Sequence, residues 1–205
     1  MAVNDKVVLG LDADGVLLNY LSGFFAYVRS KGLHVACEPE EVTDWSCSNA
    51  FPDWSAEEIY RQIEDFSVQP EFAHIPPIPG AVEAIRGIKE DLGNVEVIAI
   101  TSAGKSDETI RLRRKNLELF PFDDIHVLPL GASKQEHLAL LPAGSVFVDD
   151  LFKHVQSAEK VGVTGILFRQ SYNVADSHPH VIADWRSGRD VVRSLLEPSR
   201  AAVPA

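Results

Sequence analysis

Cysteine is nearly absent. Cys37 and Cys47 are the only two in 205 residues, too few for a disulfide framework or a paired-cysteine zinc site, so a reducing cytosol is the simplest expected setting. Long hydrophobic runs are missing too. Val7–Leu11 stops at Asp12, lacks a small-residue cleavage pattern and falls far short of the roughly 18–20 apolar residues a membrane helix needs. The expectation is a chain that neither crosses nor enters a membrane. Basic charge is scarce: Lys+Arg 19 against Asp+Glu 30 gives a net charge of −11, which repels a long nucleic acid but tolerates a small anion where positive charge is concentrated. No glycine-rich dinucleotide or nucleoside-triphosphate loop is present, and Ser102 sits in no nucleophile-elbow pattern. No internal repeat or low-complexity segment occurs. What remains is an ordinary soluble composition, 45% hydrophobic and 24% charged, with length for one core plus a modest insertion.

Short β-branched runs alternate with segments of helical period. Val7–Leu11, Val95–Ile100, Ile125–Leu128, Val146–Val148 and Thr164–Phe168 read as strands, apolar enough to be buried on both faces. Helices fit between them at Ala81–Leu92, Asp107–Leu119 and Phe152–Val161, and a last one is expected from Ser187, where Ser187 and Asp190 have capping-box spacing. After Glu197 the sequence reads as a frayed tail. This alternation predicts an α/β fold, a doubly wound, mostly parallel sheet. Residues 17–78 break the rhythm: a helix around Tyr20–Lys31, a loop through Pro39 and Trp45, and a helix capped by Ser55 with Glu58, but no strand. They read as a helical insertion that closes at Pro76-Pro77-Ile78-Pro79-Gly80. Ten aromatic residues fall within it; most are expected to form its own small core, with one or two left to touch a ligand.

Asp12-Ala13-Asp14-Gly15-Val16 directly follows the first strand. Side chains of extended backbone alternate, so Asp12 and Asp14 project to one side at the strand's carboxyl end, where open α/β sheets bind ligands. Two carboxyls in one pocket raise the proton affinity of one of them, which suits an ionised nucleophile paired with a proton donor. An Asp-Gly turn with two solvated acids is the bland alternative. Three later positions favour the functional reading: Thr101-Ser102 at the end of Val95–Ile100, Lys134 ahead of the strand Val146–Val148, and Asp149-Asp150 at that strand's end.

In that order, these residues resemble the four motifs of the haloacid dehalogenase superfamily of phosphatases. More narrowly, the Asp-Gly-Val-Leu run, Pro77-Ile78-Pro79-Gly80-Ala81, Thr101-Ser102 and Val148-Asp149-Asp150 resemble the 5′(3′)-deoxyribonucleotidase branch. The match departs from that branch at Ala103-Gly104-Lys105 and around Asp44-Trp45-Ser46. The resemblance implies a core of residues 1–16 and 79–205, with a helical cap at 17–78. It implies a Mg²⁺-dependent phosphomonoesterase in which Asp12 attacks phosphorus, Asp14 is the acid and base, and Thr101, Ser102 and Lys134 bind the phosphoryl group. Mg²⁺ would be held by Asp12, the backbone carbonyl of Asp14, and Asp149, with Asp150 holding water or Lys134. Tyr20 and Trp45 would contact a nucleotide base. The implied partner is a small phosphorylated metabolite, expected to be a nucleotide, acted on by a monomer or homodimer. A phosphatase of another small metabolite such as a sugar phosphate, a silent phosphate- or metal-binding module, and phosphotransfer to an acceptor other than water stay open as alternatives.

Other features read as bland. The seven histidines are scattered. Arg111, Arg113, Arg114 and Lys115 form a short basic run read as a solvated helix face.

Overall fold

Six parallel strands form one sheet in the order β3-β2-β1-β4-β5-β6. They are β1 (Val7–Leu11), β2 (Val95–Ser102), β3 (Asp124–Leu128), β4 (Val146–Asp149), β5 (Thr164–Phe168) and β6 (Val181–Ile182). The computed structural model describes residues 6–197; the tail expected beyond Glu197 lies outside them. Because every neighbouring pair is parallel, all carboxyl ends share one edge. The chain builds outward from β1 to β2 and β3, then returns to the other side of β1 with β4. The order therefore reverses between β1 and β4, and a crevice opens above that point at the carboxyl edge.

The period-two alternation of the strands sorts the core. Leu9, Leu11, Val97, Ala99, Val146 and Val148 face one layer, shared with α3 (Ala81–Leu92), α4 (Asp107–Leu117) and α7 (Trp185–Leu196). Val8, Ile98, Ile100 and Phe147 face the other, covered by α5 (Gln135–Leu138) and α6 (Phe152–Lys160). These helices on both faces make the sheet doubly wound.

Differences from the sequence reading are local. β2 runs two residues beyond Ile100 because Thr101 and Ser102 pair with Val127 and Leu128 of β3, so both sit in the strand rather than after it. Strand β6 was not anticipated; two residues are too few to show a period. The last helix starts at Trp185, not Ser187: Asp184 accepts from the backbone N–H of Ser187 at 2.8 Å and is the N-cap. Asp and Ser are about equally good N-caps, so the start is set by Trp185, whose burial places it as the first residue of the helix. Helix α4 ends at Leu117 rather than Leu119.

Between β1 and α3 lie α1 (Tyr20–Ser30), α2 (Ala56–Ser67) and two 3₁₀ turns, Pro39–Glu41 and Pro70–His74. Ser55 caps α2 and forms a capping box with Glu58, as the sequence indicates. Phe24, Phe51, Phe66 and Phe72 pack ring against ring inside this segment. Its entrance and exit run side by side. The N–H of Asn19 donates to Pro76 O at 2.8 Å, and the N–H of Ile78 to Leu17 O at 2.8 Å. The whole segment thus hangs from two adjacent stretches of chain joined by an isolated bridge between Leu18 and Pro77, close to the end of β1.

Candidate active site

Strand β1 delivers Asp12 to the reversal point, with its N–H still donating to Val148 O at 3.0 Å, so the β1–β4 ladder continues into the site. Strand β4 delivers Asp149 beside it. Between them stands the Lys134 ammonium, from the residue preceding α5. Its Nζ lies 2.7 Å from Asp12 Oδ1 and 2.7 Å from Asp149 Oδ2, and its side chain is only 2% exposed. Asp149 Oδ1 accepts the N–H of Leu151 at 2.8 Å, which fixes the carboxylate from the other side.

Asp12, Asp149 and Asp150 are all buried, and each offers a carboxylate oxygen within 4.8 Å of the others'. Desolvation raises the Asp149 carboxyl to about 6 although Lys134 opposes the shift. Asp150 is raised well above the carboxylate range by desolvation and then by Asp149 and Asp12. Burial pulls the Lys134 ammonium down, but the two carboxylates outweigh it and raise its proton affinity. One ammonium thus leaves the three acids short of positive charge. A compact all-oxygen donor set with surplus negative charge fits a hard divalent cation such as Mg²⁺.

Thr101 is fully buried, and its Oγ1 has no hydrogen-bond partner among the described residues. An orphaned hydroxyl deep in a site is a costly arrangement unless a ligand completes it. Ser102 is half-buried; its Oγ donates to Ala132 O at 3.3 Å, which ties the end of β2 to the loop carrying Lys134.

Asp14 lies on the other side of Asp12, in the loop stitched by Gly15 N–H to Leu18 O at 2.9 Å. Its Oδ2 accepts from Arg113 Nη2 at 2.6 Å. Desolvation pushes this carboxyl above its ordinary value; Arg113 opposes the shift and the Asp12 charge adds to it. Arg113 corrects the sequence reading: its side chain is 0% exposed. Arg111, Arg114 and Lys115 do face solvent, but Arg113 falls on the inward stripe of α4 with Thr109, Leu112, Asn116 and Leu117. The site therefore holds four carboxyls and two cations, one cation more than the motifs suggest.

The segment after β5 was also missed. Gln170 Nε2 donates to Gly15 O at 2.6 Å. Asn173 Nδ2 donates to Asp150 O at 2.7 Å, and the Tyr172 hydroxyl donates to Asp150 Oδ2. Asp150 is thus held by Tyr172, while Lys134 goes to Asp12 and Asp149. Gly15 has φ +72°, and a methyl group there would stand 2.5 Å from both Asp150 Oδ2 and the Tyr172 hydroxyl. Only glycine fits this crossing of loops. The available signal was a polar run, Arg169 to Asn173, issuing from a buried strand at the same edge as the other motifs.

A cavity of about 830 Å³ opens over these groups. Its lining includes Asp12, Asp14 and Lys134 from the strand edge and Tyr20, Ile59 and Ile63 from α1 and α2. Tyr20 stacks on Phe24 with ring centroids 5.9 Å apart, so it serves the inserted segment's core and the cavity wall together. Trp45 is 64% exposed at the mouth, with Lys153 Nζ 4.8 Å over its ring. The structure thus brings Asp12, Asp14, Ser102, Lys134 and Asp150 to the lining of one cavity together with Tyr20 and Trp45, while Thr101 and Asp149 are buried at the adjoining ends of β2 and β4.

This doubly wound parallel sheet is similar to that of solved structures described as haloacid dehalogenase-like hydrolases. Solved structures agree on the fold. A haloacid dehalogenase-like hydrolase of Streptococcus pneumoniae superposes with a TM-score of 0.60 at 14% identity, covering 92% of this chain and 99% of its own. The Bacillus subtilis HAD-hydrolase YfnB, bound to magnesium, gives 0.58 at 11% identity, covering 91% and 98%. The family described as 5′ nucleotidase, deoxy (Pyrimidine), cytosolic type C matches residues 6–196, and the chain belongs to it. A protein of Acanthamoeba polyphaga mimivirus bearing the name 5′(3′)-deoxyribonucleotidase is 32% identical over 100 residues, 48% of this chain and 42% of that protein. The chain thus matches under half of that relative's length. No helix among the described residues is long and apolar enough to cross a membrane.

Proposed function

We propose that this chain is a Mg²⁺-dependent phosphomonoesterase that hydrolyses nucleoside or deoxynucleoside monophosphates through an aspartyl-phosphate on Asp12. The observation that carries the reading is the convergence of Asp12, Asp14, Thr101 and Lys134 with the Asp149–Asp150 pair beneath a cavity far larger than a phosphate needs. The family membership and the name of the mimivirus relative support the nucleotide class. Magnesium in the Bacillus subtilis structure supports the choice of ion. A cytosolic setting agrees with the family's description.

Asp12, Asp149 and the backbone carbonyl of Asp14 would hold the ion, with Asp150, braced by Tyr172, beside it. When bound, Mg²⁺ supplies charge neutralisation that lets a dianionic phosphate approach three carboxylates. Lys134 keeps the Asp12 carboxylate in place and faces the phosphoryl oxygens. The Thr101 hydroxyl, which lacks a partner, donates to one of them. Asp12 attacks phosphorus in line while Asp14 gives a proton to the departing oxygen; Asp14 then takes a proton from the water that cleaves the aspartyl-phosphate. Residues 17–78 act as a cap over the core formed by 1–16 and 79–205, and Tyr20 and Trp45 present rings to the base.

The test is phosphate release from a panel of deoxynucleotides, nucleotides and sugar phosphates, with Mg²⁺ and with EDTA. Preference for nucleotides that disappears in EDTA is expected. Preference for sugar phosphates would redirect the substrate class, and no release from any monoester would leave a silent binding module. Asp12→Asn should lose turnover while folding normally; normal turnover in that variant would refute the nucleophile assignment.

A further inference from the structure

Arg113 has no ordinary reason to be where it is. A guanidinium is costly to bury unless its surroundings compensate it, and α4 already shows that its basic residues can reach water at positions 111, 114 and 115. The head group is gripped on three sides instead. Nη2 meets Asp14 Oδ2 at 2.6 Å, Nη1 stands 3.5 Å from Asn116 Oδ1, and the guanidinium carbon lies 4.4 Å from the centroid of Phe72. Asn116 is itself fixed, donating to the carbonyls of Ala73 at 3.3 Å and Ile75 at 3.0 Å. The arginine is therefore seated against the Pro70–His74 turn, where the inserted segment returns to the core. The other carboxyl oxygen, Asp14 Oδ1, is buried and has no partner among the described residues.

We infer that Arg113 is a positioning residue that aims Asp14: by occupying Oδ2 it fixes the carboxyl in one orientation and leaves Oδ1, which has no partner among the described residues, as the oxygen free to exchange a proton. This deepens the function proposed above and rests on its assignment of Asp14 as acid and base. As the bond from Asp12 to phosphorus forms, the bond from phosphorus to the leaving oxygen breaks, its electron pair stays on that oxygen, and the proton of Asp14 Oδ1 passes to it. In the second step water attacks phosphorus, Oδ1 takes its proton, and the Asp12–phosphorus bond breaks to return a carboxylate and inorganic phosphate. A freely turning carboxyl would meet both steps in many orientations; a held one meets them in a single orientation. Because the grip includes Phe72 and Asn116, the aim of the acid depends on how the inserted segment is seated.

The experiment exploits leaving-group chemistry. A nitrophenolate departs without a proton, whereas the alkoxide of a nucleotide needs one. Values of kcat/KM, which cover the steps through leaving-group departure, are measured for a deoxynucleoside 5′-monophosphate and for 4-nitrophenyl phosphate. The enzymes compared are the native protein, Asp14→Asn, Arg113→Met, Arg113→Lys and the double variant Asp14→Asn/Arg113→Met. Their ratio within one sample is independent of the folded fraction, so a merely destabilised variant leaves it unmoved. Asp14→Asn should depress the nucleotide alone by about 10²–10⁴-fold. Arg113→Met should lower the nucleotide to nitrophenyl ratio by about tenfold or more, Arg113→Lys should lower it by less, and the double variant should match Asp14→Asn. If Asp14→Asn is selective but Arg113→Met slows both substrates equally, the positioning role is overturned and Arg113 only holds the helix. If Asp14→Asn is itself unselective, the acid assignment fails and this inference falls with it.

Discussion

Replacing Lys134 with methionine keeps the stem and removes the charge. In the native chain the ammonium spans two carboxylates at 2.7 Å each and is 2% exposed. The variant leaves Asp12 and Asp149 facing each other, with Asp150 nearby, in a pocket already short of cations. Breaking a buried ion pair from one side costs about 3–5 kcal/mol, and in a chain of this length about 1 kcal/mol moves Tm by roughly 2–4 °C. In EDTA the variant should therefore melt about 6–20 °C below the native protein. The sign of its pH dependence follows from the acids. Groups whose proton affinity is raised on folding support stability below their unfolded values and lose that support as pH rises through the folded value. Asp149 already sits at about 6, raised by desolvation with Lys134 opposing, so without Lys134 the deficit should be larger at pH 8 than at pH 5. Divalent cation should repair it. An ion at about one hundred times its dissociation constant stabilises by about 2.7 kcal/mol, and the gain should exceed the native one because the vacancy in charge is larger. Calorimetry at pH 5 and pH 8, in EDTA and in excess Mg²⁺, reads all four values. A drop under about 3 °C at pH 8 in EDTA would mean that the carboxyls do not depend on Lys134, and the charge argument for the site would be lost.

Other perturbations separate the parts of the site. Gly15→Ala combines left-handed strain of about 1–2 kcal/mol with a collision against Asp150 and Tyr172; it should lower Tm modestly and phosphate release by more than about tenfold, and unchanged kinetics would detach the loop crossing from the chemistry. His154 is buried, and desolvation followed by the Lys134 charge lowers its value to about 4. It should support stability above about pH 6.5 and lose that support as pH falls through 4, by up to about 3 kcal/mol. Urea titrations of His154→Gln in EDTA should show a shallower loss between pH 6.5 and 4 than the native chain. Tyr20→Ala should raise KM for nucleotides by the about 1–3 kcal/mol of a lost stacking partner and leave 4-nitrophenyl phosphate less affected; equal changes would return Tyr20 to a packing role. Trp45→Ala, at 64% exposure, should leave stability within about 0.5 kcal/mol while weakening nucleotides, and an unchanged KM would remove it from the base site.

Strands β1, β2, β4 and β5 were legible because each is a short apolar run buried on both faces, whereas β3, at the sheet edge, is only partly buried despite its apolar reading. Their ends carried Asp12, Thr101 and Asp149 to one edge by topology alone. Strand β6 and the start of α7 were not legible: two residues carry no period, and Asp184 and Ser187 are both plausible caps within one turn. Tertiary contacts chose between them, since Trp185 is fully buried and donates from its indole to Val16 O at 2.6 Å. Lys134 was found through its place in the motif order; its own surroundings, a four-residue helix and a loop, say nothing about burial.

Arg113 marks where composition misleads. Four basic residues within five positions read as a charged surface, but a helix advances about 100° per residue, so a consecutive run always points to several faces. The register was available: Leu112 and Leu117 bracket Arg113 and Asn116 at the spacings of an inward stripe, which makes two polar residues on that stripe the informative feature. A buried polar pair demands partners, and for a cation the demand is for a carboxylate. The acid that answers, Asp14, lies 99 positions earlier in the chain, outside the reach of any local pattern. Motif order can therefore recover Asp12, Thr101 and Asp149, because each belongs to its own strand end, while the groups that orient such side chains are recoverable only as polar interruptions in stripes that should have been apolar. Gln170, Tyr172 and Asn173 obey the same logic at the other flank. Both sets of contacts meet the loop from Asp12 to Val16, Arg113 at Asp14 and Gln170 at Gly15 O, and the Asp14 and Asp150 carboxyls take their directions from them.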